Sequence, residues 1–288
     1  MLEKATTRIV RLGVEAIKSI CGRTIVALGL HRRMLQGCAI IVAFHSITKS
    51  QSDGALRCSV KDFEAFCAFF AKHMDVVSLT DMVGNLETRA DLRGQLAITF
   101  DDGYADNEEL ALPILKKWNL RATFYVASGL IGSQEQTFWD VDANVTSRWM
   151  SWQQMAGLVN SGNDIGTHTV THPDLATLSR EQVDAQLRQC RDAIRAKLAY
   201  DPQHFAIPFG RSFPTIDLVL EVARAVGYRS VSLCRGGLVT PAPDFYCLER
   251  WPINVAYHRS PFSWIFDVLR QNRHSTLMYG NSASRQPT

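Results

Sequence analysis

Residues 96–104 read Leu-Ala-Ile-Thr-Phe-Asp-Asp-Gly-Tyr. A mostly apolar, β-favouring run leads straight into two adjacent carboxylates, Asp101 and Asp102. Such a run predicts a strand buried on both faces, as in a parallel sheet covered by helices. The carboxylates then stand at the end of the sheet where α/β folds bind ligands. Neighbouring carboxylates repel, and a bound cation relieves the repulsion by letting one ligate while the other works as a base. Taken alone, the dipeptide also fits a capping Asp pair that opens a turn. A second constellation, residues 166–173, reads Gly-Thr-His-Thr-Val-Thr-His-Pro. His168 and His172, four apart, form a common nitrogen pair for a catalytic metal. Thr169 stands where a helical zinc-protease motif needs Glu, and Pro173 keeps His172 out of helical geometry. The pair is therefore expected on a loop leaving a strand. Two His and one Asp leave positions open for water and substrate.

The elements that must position these residues alternate regularly. Apolar runs predict strands at residues 38–44, 75–79, 96–100, 122–126, 164–166, 205–207, 230–233 and 248–251. Amphipathic stretches between them predict helices, with Ser59, Thr80 and Ser179 as N-caps and Gly227 as a stop. Strand and helix alternate about seven times without a flexible linker. The pattern points to an α/β fold, a distorted (β/α)7-8 barrel in a single domain. Residues 1–36 form an N-terminal helical extension, 37–275 the barrel domain and 276–288 a polar tail. The stretch 129–148 is long for a plain connection and is expected to line a site. At 288 residues the chain can bury a full core, and a net charge of +3 gives no case for nucleic-acid binding. The seven cysteines include no Cys-x-x-Cys pair, so a zinc-thiolate site is not expected.

Three stretches in order resemble the motifs of the polysaccharide deacetylase family, the NodB-homology carbohydrate esterases of family 4. Thr99 to Gly103 is similar to the family's Thr-Phe-Asp-Asp-Gly, and Gly166 to His172 to its His-x-x-x-His. Pro208-Phe209-Gly210 is similar to its Pro-Tyr/Phe-Gly. The resemblance spans roughly Ala39 to Trp251. It implies a NodB-like barrel and a divalent metal, most often Zn2+, with Co2+, Ni2+ or Mn2+ as alternatives. It further implies hydrolysis of the N-acetyl group of an acetamido sugar in a polysaccharide, oligosaccharide or lipid-linked glycan. Carried over by position, Asp102, His168 and His172 bind the metal, and Asp101 is the base for a metal-bound water. Pro208, Phe209 and Gly210 form the oxyanion and substrate region, with the Phe209 N–H on the oxyanion.

Two departures from the family pattern stand out. The third motif lacks its usual Arg, for which Arg121 or Arg250 is a candidate substitute. The family's late acid His is missing as well; His258 and His274 lie in poor contexts. His45, which ends the run Val42-Ala43-Phe44, is expected to take that role through a different strand order around the barrel. Trp139 and Tyr104 are candidates for stacking on sugar rings.

The N-terminus carries Lys4, Arg8, Arg11, Lys18, Arg23, Arg32 and Arg33 against Glu3 and Glu15, with apolar residues between. That pattern fits either a basic amphipathic helix on an anionic membrane or a helix packed on the domain. With no secretory signal evident, the expected location is cytoplasmic, peripheral at the inner face of the membrane, with a saccharide or glycolipid as substrate. Two other readings are a non-catalytic saccharide-binding member of the same fold and a non-haem iron enzyme using the two His and one Asp.

Overall fold

Alternating apolar and amphipathic stretches produce a curled parallel sheet wrapped by helices. The structure, a computed structural model, describes residues 2–51, 56–88, 92, 94–240, 243–255 and 257–279. Helix α1 (Leu2–Ala27) and the short α2 (Leu30–Met34) precede β1 (Ile40–Phe44). A small paired unit, β2 (Ser46–Thr48) with β3 (Arg57–Ser59), leads into α3 (Val60–His73). Next come β4 (Asp75–Val76), α4 (Leu79–Glu87), β5 (Gln95–Phe100), a π-helical turn and α5 (Leu112–Lys117). Strand β6 (Ala122–Val126) is followed by α6 (Phe138–Asp142), α7 (Trp152–Asn160) and β7 (Asp164–Thr167). Then follow α8 (Arg180–Leu198), β8 (His204–Ala206), α9 (Ile216–Val226), β9 (Ser230–Ser232), β10 (Trp251–Pro252) and α10 (Pro261–Tyr279). The polar tail expected after Tyr279 lies outside the described residues.

Local signals set several boundaries. Ser59 caps α3 by accepting from the Asp62 N–H, and Ser179 with Gln182 forms a full capping box on α8. One cap differs from expectation. Helix α4 starts at Ser78, whose hydroxyl accepts from the Asp81 N–H, whereas the Thr80 hydroxyl donates to Asp164 Oδ2 at 2.8 Å. Thr80 is drawn into a tertiary contact, which leaves the cap to its neighbour.

The sheet runs β10-β1-β5-β6-β7-β8-β9, with β4 beside the start of β5, and its pairings are parallel. The first strand is thus internal, between β10 and β5. One stretch of chain spans the seam. Leu248 donates to Val231 O and accepts from Leu233 N, both at 2.9 Å, and a few residues later β10 pairs with β1. This is the distorted barrel that the alternation predicts.

Alternate strand positions face two different cores. Leu96, Ile98 and Phe100 pack outward with Phe44, Phe63, Phe66 and Phe70 under the helices. Ala97, Ile41, Ala39 and Ala206 face inward and meet Leu79, Met82, Val83 and Leu86 of α4. Thr80 also meets His204 Nε2, and Asn85 donates to Gln95, so α4 lies across the strand starts. That leaves the opposite, C-terminal end of the strands for the site.

Candidate active site

Four strands end at residues with chemistry: His45 after β1, Asp101 and Asp102 after β5, His168 after β7, and Pro208-Phe209-Gly210 shortly after β8. Because Phe44 pairs with Phe100, His45 and Asp101 come level on adjacent strands. The Asp101 N–H still donates to Phe44 O at 2.9 Å, so Asp101 remains tied to the sheet. At Asp102 the backbone turns sharply into the left-handed region, φ 74°. Thr169, His172 and Phe209 share that rare conformation, at φ 69°, 54° and 61°. Strained non-glycine residues of this kind gather where side chains must be aimed against backbone preference.

Asp102, His168 and His172 are all buried, and one ligand atom from each lies within 4.8 Å of the others. Asp102 Oδ1 stands 3.5 Å from His168 Nε2 and 3.4 Å from His172 Nε2. His168 Nδ1 donates to the Ala206 carbonyl at 2.7 Å, so in the neutral ring Nε2 carries the lone pair. Asp102 Oδ1 is buried without a hydrogen-bond partner. Electron pairs converging around an unsatisfied buried carboxylate oxygen suit a cation, and the donor set fits a divalent metal. Burial opposes charge on Asp102, yet His168, His172 and His45 outweigh it and hold the carboxyl well below its ordinary value. Burial pushes His172 down to about 4, which keeps it neutral and able to ligate. The loop carrying it is pinned from outside: Gln186 of α8 accepts from the N–H groups of Val170 and Thr171 at 2.9 and 3.1 Å.

Asp101 faces a different partner. Arg250, fully buried at the seam, grips it with two bonds, Nη1 to Oδ1 at 2.6 Å and Nη2 to Oδ2 at 2.8 Å. Burial works against the Asp101 charge, but the guanidinium prevails and holds its pKa below the ordinary range. Of the two arginines considered from sequence, Arg250 is therefore the partner. Arg121 is exposed beside Gly162, at the start of β6 and so at the far end of the barrel. Arg250 is itself braced by the Tyr125 ring, 5.0 Å below the guanidinium. His45 Nε2 lies 3.9 Å from Asp101 Oδ2, on the less buried side. Its backbone is held by Asn107 Nδ2, which donates to His45 O at 2.7 Å.

The aromatic candidates divide. Trp139 is half-buried, 4.7 Å from the His172 ring and 6.3 Å from Phe209, so it borders the site. Tyr104 is buried and stacked on Trp149 at 4.8 Å, and it offers no face to a sugar. Its hydroxyl donates to Asp140 and accepts from Trp139 Nε1, both at 2.9 Å, so Tyr104 holds Trp139 in place. Pro208 and Gly210 are buried, and of the third motif Phe209 is the residue that reaches solvent.

Comparison with known proteins agrees with this geometry. Residues 89–231 match the family model described as polysaccharide deacetylase. The chain belongs to the polysaccharide deacetylase family. It is similar to the protein YxkH of Bacillus subtilis (strain 168), 25% identical over 233 residues, 80% of this chain and 76% of that one. A chitin deacetylase of Pestalotiopsis sp is 30% identical over 151 residues, 52% of this chain. The chain spans 45% of that relative's length. Among solved structures, Streptococcus pyogenes deacetylase PplD in complex with acetate superposes with a TM-score of 0.66 at 22% identity, covering 79% of this chain and 96% of that one. IcaB from Ammonifex degensii gives 0.64 at 20% identity, covering 80% and 97%. At those identities the structural likeness speaks for the fold. What no motif of this deacetylase-family chain announced is the supporting layer: Asn107 beneath His45 and Asp140 beneath Tyr104. Their signal is tertiary, since each partner lies more than 30 residues away.

Proposed function

We propose that this chain hydrolyses the N-acetyl group of an acetamido sugar in a polysaccharide, oligosaccharide or lipid-linked glycan. The observation that carries the reading is the buried Asp102, His168 and His172 set lying beside an ion-paired Asp101. A divalent metal held by those three residues, Zn2+ foremost with Co2+, Ni2+ or Mn2+ as alternatives, would acidify water and polarise the acetyl carbonyl. Asp101, kept ionised by Arg250, accepts the proton of the attacking water. Arg250 also fixes the direction from which Asp101 reaches, because a two-bond grip leaves the carboxylate little rotation. His45 then protonates the leaving amine from the more open side of Asp101. The Phe209 N–H is assigned to the developing oxyanion, and Trp139 supplies a face for the sugar ring. A non-haem iron reading uses the same three ligands but gives the Asp101–Arg250 pair no work. A purely binding role has no use for an ionised buried base.

The test is acetate release from N-acetylhexosamine oligosaccharides and from a lipid extract, with and without chelator. Asp101→Asn is expected to lower kcat by a factor of about 100 or more while leaving metal content unchanged. His45→Gln is expected to lower it by a factor of about 100 and to remove one limb of the pH–rate profile. Full activity in either variant would overturn the role given to that residue. Release that persists without metal would overturn the mechanism.

A further inference from the structure

Helix α1 is turned inside out relative to an ordinary surface helix. Against the domain it buries Glu15, Gly22 and Val26, with Lys18 and Ser19 half-buried beside them. To solvent it shows Leu12, Ile17 and Ile20, exposed at 41, 63 and 64%. The inward contacts are polar along the middle of the helix, where Lys18 Nζ donates to Asp267 Oδ2 at 2.8 Å and the Ser19 and Ser260 hydroxyls meet at 3.0 Å, and apolar at its end, where Ile25 and Val26 pack on the core. Gly22 allows the close approach, because a Cβ there would stand 1.9 Å from Phe262 O. A helix that merely packs on a domain turns its apolar face inward. At 3.6 residues per turn, Leu12, Ala16, Ile20 and Ala27 fall on one outward stripe with Ile17 along its edge, and Arg23, which falls within the stripe, lays its guanidinium over the Phe262 ring.

A second feature lies just past the end of this stripe. Beyond the exposed Leu28 and Leu30, a cavity of about 660 Å³ is lined by His31, Arg32, Arg33, Gln36, His73 and Asp75 among others. His31 is buried; its Nε2 donates to His73 O at 3.1 Å and its Nδ1 has no partner. Arg32 and Arg33 are exposed and form no ion pair among the described residues. Among the described residues, Asp75 is the one carboxylate on the lining. Burial, and after it the neighbouring His31, Lys72 and Arg32, lower the His73 pKa. Across residues 11–36, Arg11, Lys18, Arg23, Arg32 and Arg33 stand against Glu15 alone. Among the described residues, no helix is long and apolar enough to cross a membrane.

An outward apolar stripe that ends at a basic cavity is complementary to the interface of an anionic phospholipid bilayer. We infer that α1 lies in that interface, stripe downward, and that a lipid phosphate is held by Arg32 and Arg33 beside His31. This inference is independent of the hydrolytic chemistry proposed above. The experiment is flotation of the full chain with vesicles of phosphatidylcholine alone and of phosphatidylcholine mixed with phosphatidylglycerol, at low and high salt. The chain is expected to float with the anionic vesicles, less so at high salt, and only weakly with the neutral ones. R32A/R33A should weaken anionic-vesicle binding about thirtyfold and leave the weak neutral binding unchanged. I17D/I20D should abolish flotation, and because both side chains are exposed its Tm should match the parent; I17S/I20S replaces it if the Tm falls. Absence of flotation, or flotation that neither pair of substitutions alters, would overturn the inference. A dimer seen by light scattering and dissolved by I17D/I20D, without vesicle binding, would assign the stripe to a second copy instead. Inorganic phosphate binding that needs Arg32 and Arg33, again without vesicle binding, would assign the cavity to a free anion.

Discussion

Asp101 and Asp102 are chain neighbours with opposite surroundings. Asp101 keeps extended backbone and meets a guanidinium; Asp102 turns to φ 74° and meets two imidazoles. The two side chains therefore part where the backbone turns at Asp102. A third carboxylate, Asp106, anchors β2 just after His45 by accepting from the Ser46 hydroxyl at 2.6 Å and the Ile47 N–H at 2.8 Å. Burial pushes Asp106 up to about 6. The folded chain thus binds a proton there more readily than the unfolded chain, whose carboxyl titrates near 4. This contribution favours the folded state below about pH 4 and is lost as pH rises through about 6. Asp106→Asn should remove that slope. In urea titrations the variant should compare worst with the parent near pH 4 and gain about 2–3 kcal/mol on it by pH 7.5. A difference that stays constant across that range would show that Asp106 does not titrate there.

At the scale of elements, short strands and tight contacts decide how well the side chains are aimed. Gly166 in β7 lies against the Tyr125 ring; a Cβ there would come within 2.4 Å of Cδ1. Tyr125 in turn underlies Arg250 and meets the Ser232 hydroxyl at 3.1 Å. Gly166→Ala must move that ring, and overpacking of this kind costs about 1–3 kcal/mol. The expected result is a lower urea midpoint together with a kcat loss larger than the KM change, since Arg250 and Asp101 shift while the open rim does not. A variant with unaltered kcat would show that the ring moves without disturbing the arginine. The spacing of Gly166 before His168 was legible as a motif; its packing reason is visible only once β6 and β7 are side by side.

At the scale of the whole molecule, the seam of the barrel and the base of the site are the same place. Arg250 sits between Leu248, which bridges to β9, and Trp251, which pairs with β1. Its guanidinium joins the Leu233 carbonyl on one side to Thr99 and Asp101 on the other. Arg250→Met would leave Asp101 buried without its cation, and breaking a buried pair from one side costs about 3–5 kcal/mol. Denaturant unfolding should show that loss. Faster amide exchange is expected at Val231 and Leu233, which bond to the seam segment. The Asp101 carboxyl should also titrate higher, moving the acid limb of the pH–rate profile upward.

The sequence by itself determined the alternation of strands and helices, the loop geometry of His172 before Pro173, and the two stretches that hold Asp101, Asp102, His168 and His172. These are local: apolar periodicity, a proline's steric effect on its predecessor, and residue types within a few positions of one another. Tertiary structure alone decided which arginine meets Asp101, that Tyr104 is a support rather than a sugar platform, and that α1 faces its apolar side outward. His45 shows where the two meet. Its position at a strand end is readable from Val42-Ala43-Phe44, but its nearness to Asp101 follows from β1 inserting between β10 and β5. Strand order is set by the packing of the whole sheet, and Arg250 reaches Asp101 across a sequence separation of 149 residues, which no local pattern encodes.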